Sequence, residues 1–131
     1  MMHYNFSDKA HIFWDDVIEA VVIRWNSLAQ KEDFREPLDK LIELAVMKEA
    51  KKVLVDKNHK LVLAEDAQWF SEVWLPKILR AGIQYMAAVT PENTISNSDE
   101  RHVIGKDITK LRYHEFGNIQ NAVHWLAGIP A

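Results

Sequence analysis

The residues of this chain that could do chemistry are six histidines and the carboxylates near them, and there is no cysteine. His102, His114, Glu115 and His124 gather in the last third, a mixture that suits metal binding or acid–base work. Their spacing argues against both. No two histidines stand four residues apart as in a helical zinc pair, and neither HExxH nor HxH occurs. The histidines are therefore read as ordinary surface or core-edge residues, and no metal or cofactor is expected. Without cysteine there are no disulfides, thiolate nucleophiles or thiolate ligands, which fits a reducing compartment.

Two carboxylate turns remain. Asp56 closes the apolar run KVLVD and His59 follows three residues later. If that run is a parallel strand, the pair sits at its carboxyl end, where open α/β sheets collect ligands. Asp56-Lys57-Asn58 also reads as a plain turn, and no nucleophile or glycine-rich phosphate loop accompanies it, so no catalytic residue is assigned. Glu65 and Asp66 open a helical stretch. They either complement the helix dipole or form part of a protein-binding surface.

Around these residues the patterning alternates strand with helix. His11 to Trp25 is β-branched and aromatic, with Asp15-Asp16 as a turn, which predicts a hairpin whose second arm, Val17 to Trp25, is apolar on both faces and central in its sheet. Leu38, Leu41, Ile42 and Ala45 predict a helix over 36–50, with Pro37 in its first turn. Lys52 to Asp56 is a short buried strand. The next helix carries Ala67, Phe70, Trp74, Ile78 and Ala81 on its core stripe and Pro76 in its interior, which predicts a kink or break near Val73 and Trp74. Gly82 stops it, and Ile83 to Thr90 is a strand covered on both faces. A polar loop over 91–97 precedes a helix capped by Ser98. Leu111 to Phe116 is a strand, and Asn118 caps a last helix, Ile119 to Ala127.

The aromatic residues offer two further sites. Phe70, Trp74, Ile78 and Met86 could border a pocket for an apolar small molecule, although their helical spacing equally describes core packing. Trp69 falls off the main stripe and Trp125 lies opposite Ile119 and Ala122, positions that suit an interface with a protein partner or a second copy.

Composition limits the rest. The 131 residues, 48% hydrophobic and 27% charged, describe one domain with a substantial core. A net charge of −3 leaves no basic field for a nucleic acid. No apolar run approaches the roughly 18 residues of a membrane helix, and MMHYNFSDKAHIFW lacks the plan of a signal peptide, so a cytoplasmic protein is expected.

The order of elements, with VLVD before a helix, the helix end WLPKILRAG, the strand end AAVTP and a last helix containing AVHWL, resembles the SpoIIAA-like family. That family belongs to the group of folds shared by STAS domains and lipid-binding CRAL-TRIO (Sec14-like) domains. The likeness spans about residues 8 to 128. It implies an α/β fold, a mixed sheet of four to five strands with an antiparallel N-terminal hairpin and parallel crossovers, and about four helices. It also implies a bacterial, non-enzymatic regulatory or protein-interaction module, with apolar-ligand binding as the alternative. In STAS antagonists a regulatory serine lies in the turn that opens the helix after this strand. Here no serine or threonine occurs between Val53 and Phe70, so phosphorylation switching at that turn is not expected. The interaction residues expected are Glu65, Asp66, Trp69 and Trp125.

Overall fold

The structure is a computed structural model that describes residues 2–6, 9–26, 31–56, 64–89 and 111–129. Its six strands are β1 (Met2–Phe6), β2 (Ala10–Asp15), β3 (Ala20–Trp25), β4 (Lys52–Asp56), β5 (Tyr85–Val89) and β6 (Arg112–Phe116). They form one mixed sheet in sequential order, antiparallel from β1 to β3 and parallel from β3 to β6. The expected α/β class, antiparallel start and parallel crossovers are all present.

Side-chain alternation explains why the central strands sit where they do. Val21, Ile23, Val53, Val55, Met86 and Ala88 point into one core, and Ala20, Val22, Leu54, Ala87 and Val89 into the other. Strands apolar on both faces need cover on both. Helix α1 (Glu32–Lys48) and the helical stretch over 64–80 supply it on the first face, and α4 (Ile119–Ala127) on the second. Among the described residues no helix is long and apolar enough to cross a membrane.

Two element starts and one added strand differ most from the sequence reading. The second hairpin arm begins at Ala20 rather than Val17, since Asp15 Oδ1 accepts hydrogen bonds from the N–H groups of Val17 (2.9 Å) and Ile18 (3.4 Å) and extends the turn to Glu19. Helix α1 begins at Glu32 rather than Glu36, because its start is held from another helix, as shown below. β1 adds a strand beyond the expected four to five. Its residues alternate, Met2, Tyr4 and Phe6 against His3 and Asn5, and its register shifts between His3 and Asn5, a bulge at Tyr4.

The half-buried Tyr4 clips β1 to α1, its hydroxyl donating to Glu43 Oε1 at 2.9 Å. That bond, desolvation and the Glu43 charge raise the phenol above its ordinary value of 10.0. The folded state thus favours the protonated phenol. Its contribution is fully present below pH 10.0 and disappears as pH rises through the raised value. Ultraviolet titration is expected to show a late-ionising tyrosine that Tyr4→Phe removes.

The stretch over 64–80 consists of α2 (Ala64–Trp69), a π-helical segment (Phe70–Trp74) and α3 (Leu75–Arg80). The break predicted from Pro76 takes this form. Pro76 has no N–H to give to the Glu72 carbonyl, and the turn before it widens so that the Leu75 N–H reaches Phe70 O. Gly82, at φ 105, ends α3 in a conformation that disfavours other residues. Asn118 caps α4 as expected, accepting from the Asn121 N–H at 2.9 Å. The loop over 91–97 and the helix expected from Ser98 lie outside the described residues.

Candidate functional site

The parallel strands end at Trp25, Asp56, Val89 and Phe116. Asp56 sits across from Arg24 in the β3–β4 register and accepts from its Nε at 3.2 Å. Arg24 also lies over the Phe13 ring, 5.6 Å from its centre. Asp56 is thus one half of a cross-strand ion pair, and His59 lies outside the described residues. The strand order is sequential and never reverses, so the described strands lack the crevice that a reversal opens at their carboxyl ends.

Asp66 organises the same end of the sheet. It is 0% exposed, and its Oδ2 accepts from the Lys31 N–H at 2.9 Å while Oδ1 accepts from Arg35 Nε at 3.1 Å. A second guanidinium nitrogen of Arg35 lies 3.1 Å from the same oxygen. Lys31, just ahead of α1, stands at φ 54 and gives the helix no side-chain cap. Asp66 supplies the missing acceptor from α2, so the two helix starts are tied by one buried carboxylate.

An aromatic stack continues from this tie. Phe34 lies against Trp25 at 5.6 Å and meets Trp69 edge-on at 6.2 Å, and the Arg35 guanidinium lies over the Trp69 ring at 5.4 Å. Asp66 is therefore turned inward, unlike the solvent-facing role considered for it, and Trp69 shows only part of its ring. Glu65 is exposed, and so is Val73, at 38%. Glu65, Trp69 and Val73 recur every four residues, forming an outward stripe on α2 and the π-helical segment. Gln68 and Glu72 flank it, with Gln68 Nε2 donating to Glu72 Oε2 at 3.3 Å.

Phe70, Trp74, Ile78 and Met86 come together as the pocket reading required, but as packed core. All four are buried in one cluster, the Phe70 and Trp74 rings stack at 4.7 Å, and Trp74 Nε1 donates to Leu38 O at 2.8 Å. Trp125 lies on the opposite face of the sheet from Trp69. It packs half-buried against His114 at 4.8 Å, Phe116 at 5.9 Å and Tyr85 at 6.4 Å. The four expected interaction residues thus divide into the exposed Glu65, the half-buried Trp69, an inward carboxylate, Asp66, and a separate aromatic group around Trp125.

Among the described residues, no three histidine, aspartate or glutamate side chains gather as metal ligands would. Sequence reasoning passed over Arg35 and Lys52. Lys52 is 3% exposed in the first position of β4, with Nζ donating to Ile18 O at 3.1 Å and Leu126 O at 2.8 Å. The signal for Arg35 was a helix start lacking a capping residue of its own; for Lys52 the local sequence held none. Compared with models of known families, with curated proteins and with solved structures, the chain matches none.

Proposed function

We propose that this protein is a non-enzymatic interaction module of the SpoIIAA-like kind, working in the cytoplasm and binding a protein partner through the outward stripe Glu65, Trp69 and Val73. The observation that carries this reading is the way the helix is held. Asp66 and Trp74 fasten it inward to α1, which leaves a rigid stripe combining an indole, an exposed valine and flanking carboxylates. Rigid, part-apolar patches with a tryptophan bind partners at low cost in side-chain ordering.

At the carboxyl end of β4, Asp56 is engaged by Arg24. Phosphorylation plays no part at the helix start. The nearest hydroxyl, Ser71, lies within the helix and donates back to Gln68 O at 3.3 Å. Binding at this surface thus needs no phosphorylation at that turn.

Capture from extracts of the source cells tests the proposal. Glu65→Lys and Val73→Asp alter exposed side chains and leave the Asp66 tie intact. Each is expected to lower recovery of one defined partner by about tenfold, as for the loss of a contact worth about 2 kcal/mol. Equal recovery by wild type and both folded variants would contradict the assignment.

A further inference from the structure

Two apolar rows border the seam between α1 and the helical stretch over 64–80. On α1, Arg35, Leu38, Ile42 and Val46 recur at spacings of three and four, so they share one stripe. Its first two members fix where the stripe points, since the Arg35 guanidinium lies over the Trp69 ring at 5.4 Å and the Leu38 carbonyl accepts from Trp74 Nε1 at 2.8 Å. Further along it, Ile42 is partly buried and Val46 is 57% exposed. The other border is formed by Trp69 and Val73. We infer that this seam receives a basic amphipathic helix of the protein partner. The inference rests on the interaction reading and adds the chemistry of what binds.

Charge selects the partner. Asp39 stands four residues after Arg35 and three before Ile42, while Glu65 precedes Trp69 by four and Glu72 follows it by three. All three carboxylates therefore flank the apolar rows, and none forms an ion pair among the described residues. The cations of α1 nearest to them are already engaged, Arg35 by Asp66 at 3.1 Å and Lys40 by Glu43 at 3.6 Å. An apolar strip edged by uncompensated carboxylates attracts a segment with lysine or arginine beside its apolar anchors and repels an acidic one.

The walls of the seam select a helix. Both are helical, and their backbone groups are bonded along the helices themselves, so an added strand finds no edge to pair with. Side chains alone must make the contact, and an amphipathic helix presents anchors at the same spacing as the rows it meets. The 17 residues of α1 span about 25 Å, room for about five turns of a partner helix. Met47 lies outside this seam. It stands four residues after Glu43, on the side of α1 where Glu43 accepts from Tyr4 of β1.

Titration of the full chain with defined peptides tests the seam. The probes are a peptide of about five helical turns with leucine and lysine at helical spacing, the same peptide with glutamate for lysine, and a shuffled lysine peptide. Saturable binding of the first, with the other two clearly weaker, is expected. Val46→Lys should weaken that binding about tenfold, and so should Glu65→Lys with Glu72→Lys, which should also flatten its salt dependence. All three side chains are exposed, so the fold is kept. Met47→Lys should bind as the wild type does. The basic helix is overturned if the lysine peptide does not saturate, if either control peptide binds equally well, or if Val46→Lys binds as the wild type does. Capture of the cellular partner separates this inference from the reading beneath it. Recovery that falls in Val73→Asp and Glu65→Lys but not in Val46→Lys would keep the stripe as the binding face and overturn the helix in the seam.

Discussion

Replacing Asp66 with alanine is expected to destabilise the fold by about 3 kcal/mol, the lower end for breaking a buried ion pair, because Arg35 keeps 29% of its side chain exposed. The cost has two parts. The Lys31 N–H loses its acceptor at the start of α1, and the Arg35 guanidinium loses the carboxylate that holds it over Trp69. Asp66→Asn keeps an acceptor and removes the charge, so it should cost less. Replacing the pair together, Arg35→Met with Asp66→Leu, should recover much of the loss, because no charge is left buried without a partner. Urea midpoints measure the three variants. Hydrogen exchange over 31–35 should speed up in Asp66→Ala before the strands are affected.

Trp74→Ala is the second large effect, about 3–5 kcal/mol for truncating a fully buried indole. Trp74 is 0% exposed, stacks on Phe70 and hydrogen-bonds to Leu38 O in α1. Against a typical domain stability of about 5–15 kcal/mol, such a loss leaves the variant near its unfolding threshold. Trp74→Phe separates the contributions. It keeps an aromatic ring beside Phe70 and gives up the bond to Leu38, so about 1 kcal/mol of its cost reports that bond and the remainder the smaller ring.

Both effects arise where the sequence was only partly legible. β4, β5 and the stop at Gly82 could be read from local pattern, because a doubly covered strand must be apolar throughout and a left-handed helix end calls for glycine. The break before Pro76 was legible for the same reason, since a missing donor acts within one turn; its π-helical form was not, because that depends on packing Phe70 and Trp74 together. The start of α1 escaped notice because its acceptor is Asp66, 35 residues along the chain. A carboxylate in a first helical turn usually faces solvent, so nothing near Asp66 announced its burial. Trp69 and Trp125 looked alike as off-stripe indoles. Only the topology, with one helical layer on each side of the sheet, places them on opposite faces. Lys52 reads locally as a charged strand end, and its partner carbonyl in α4 lies 74 residues away.

The interaction surface is tested most directly by a photoreactive phenylalanine analogue placed at Val73 and, separately, at Met47, which is 58% exposed on α1. Both positions are apolar and accessible, so each reports proximity without disturbing the core. Irradiation in the source cells is expected to join the Val73 probe to one defined protein, an adduct that disappears when Glu65→Lys is added, while the Met47 probe yields no such adduct. An adduct from Met47 alone, or none from either position, would contradict the assignment of the Glu65, Trp69 and Val73 stripe as the binding face.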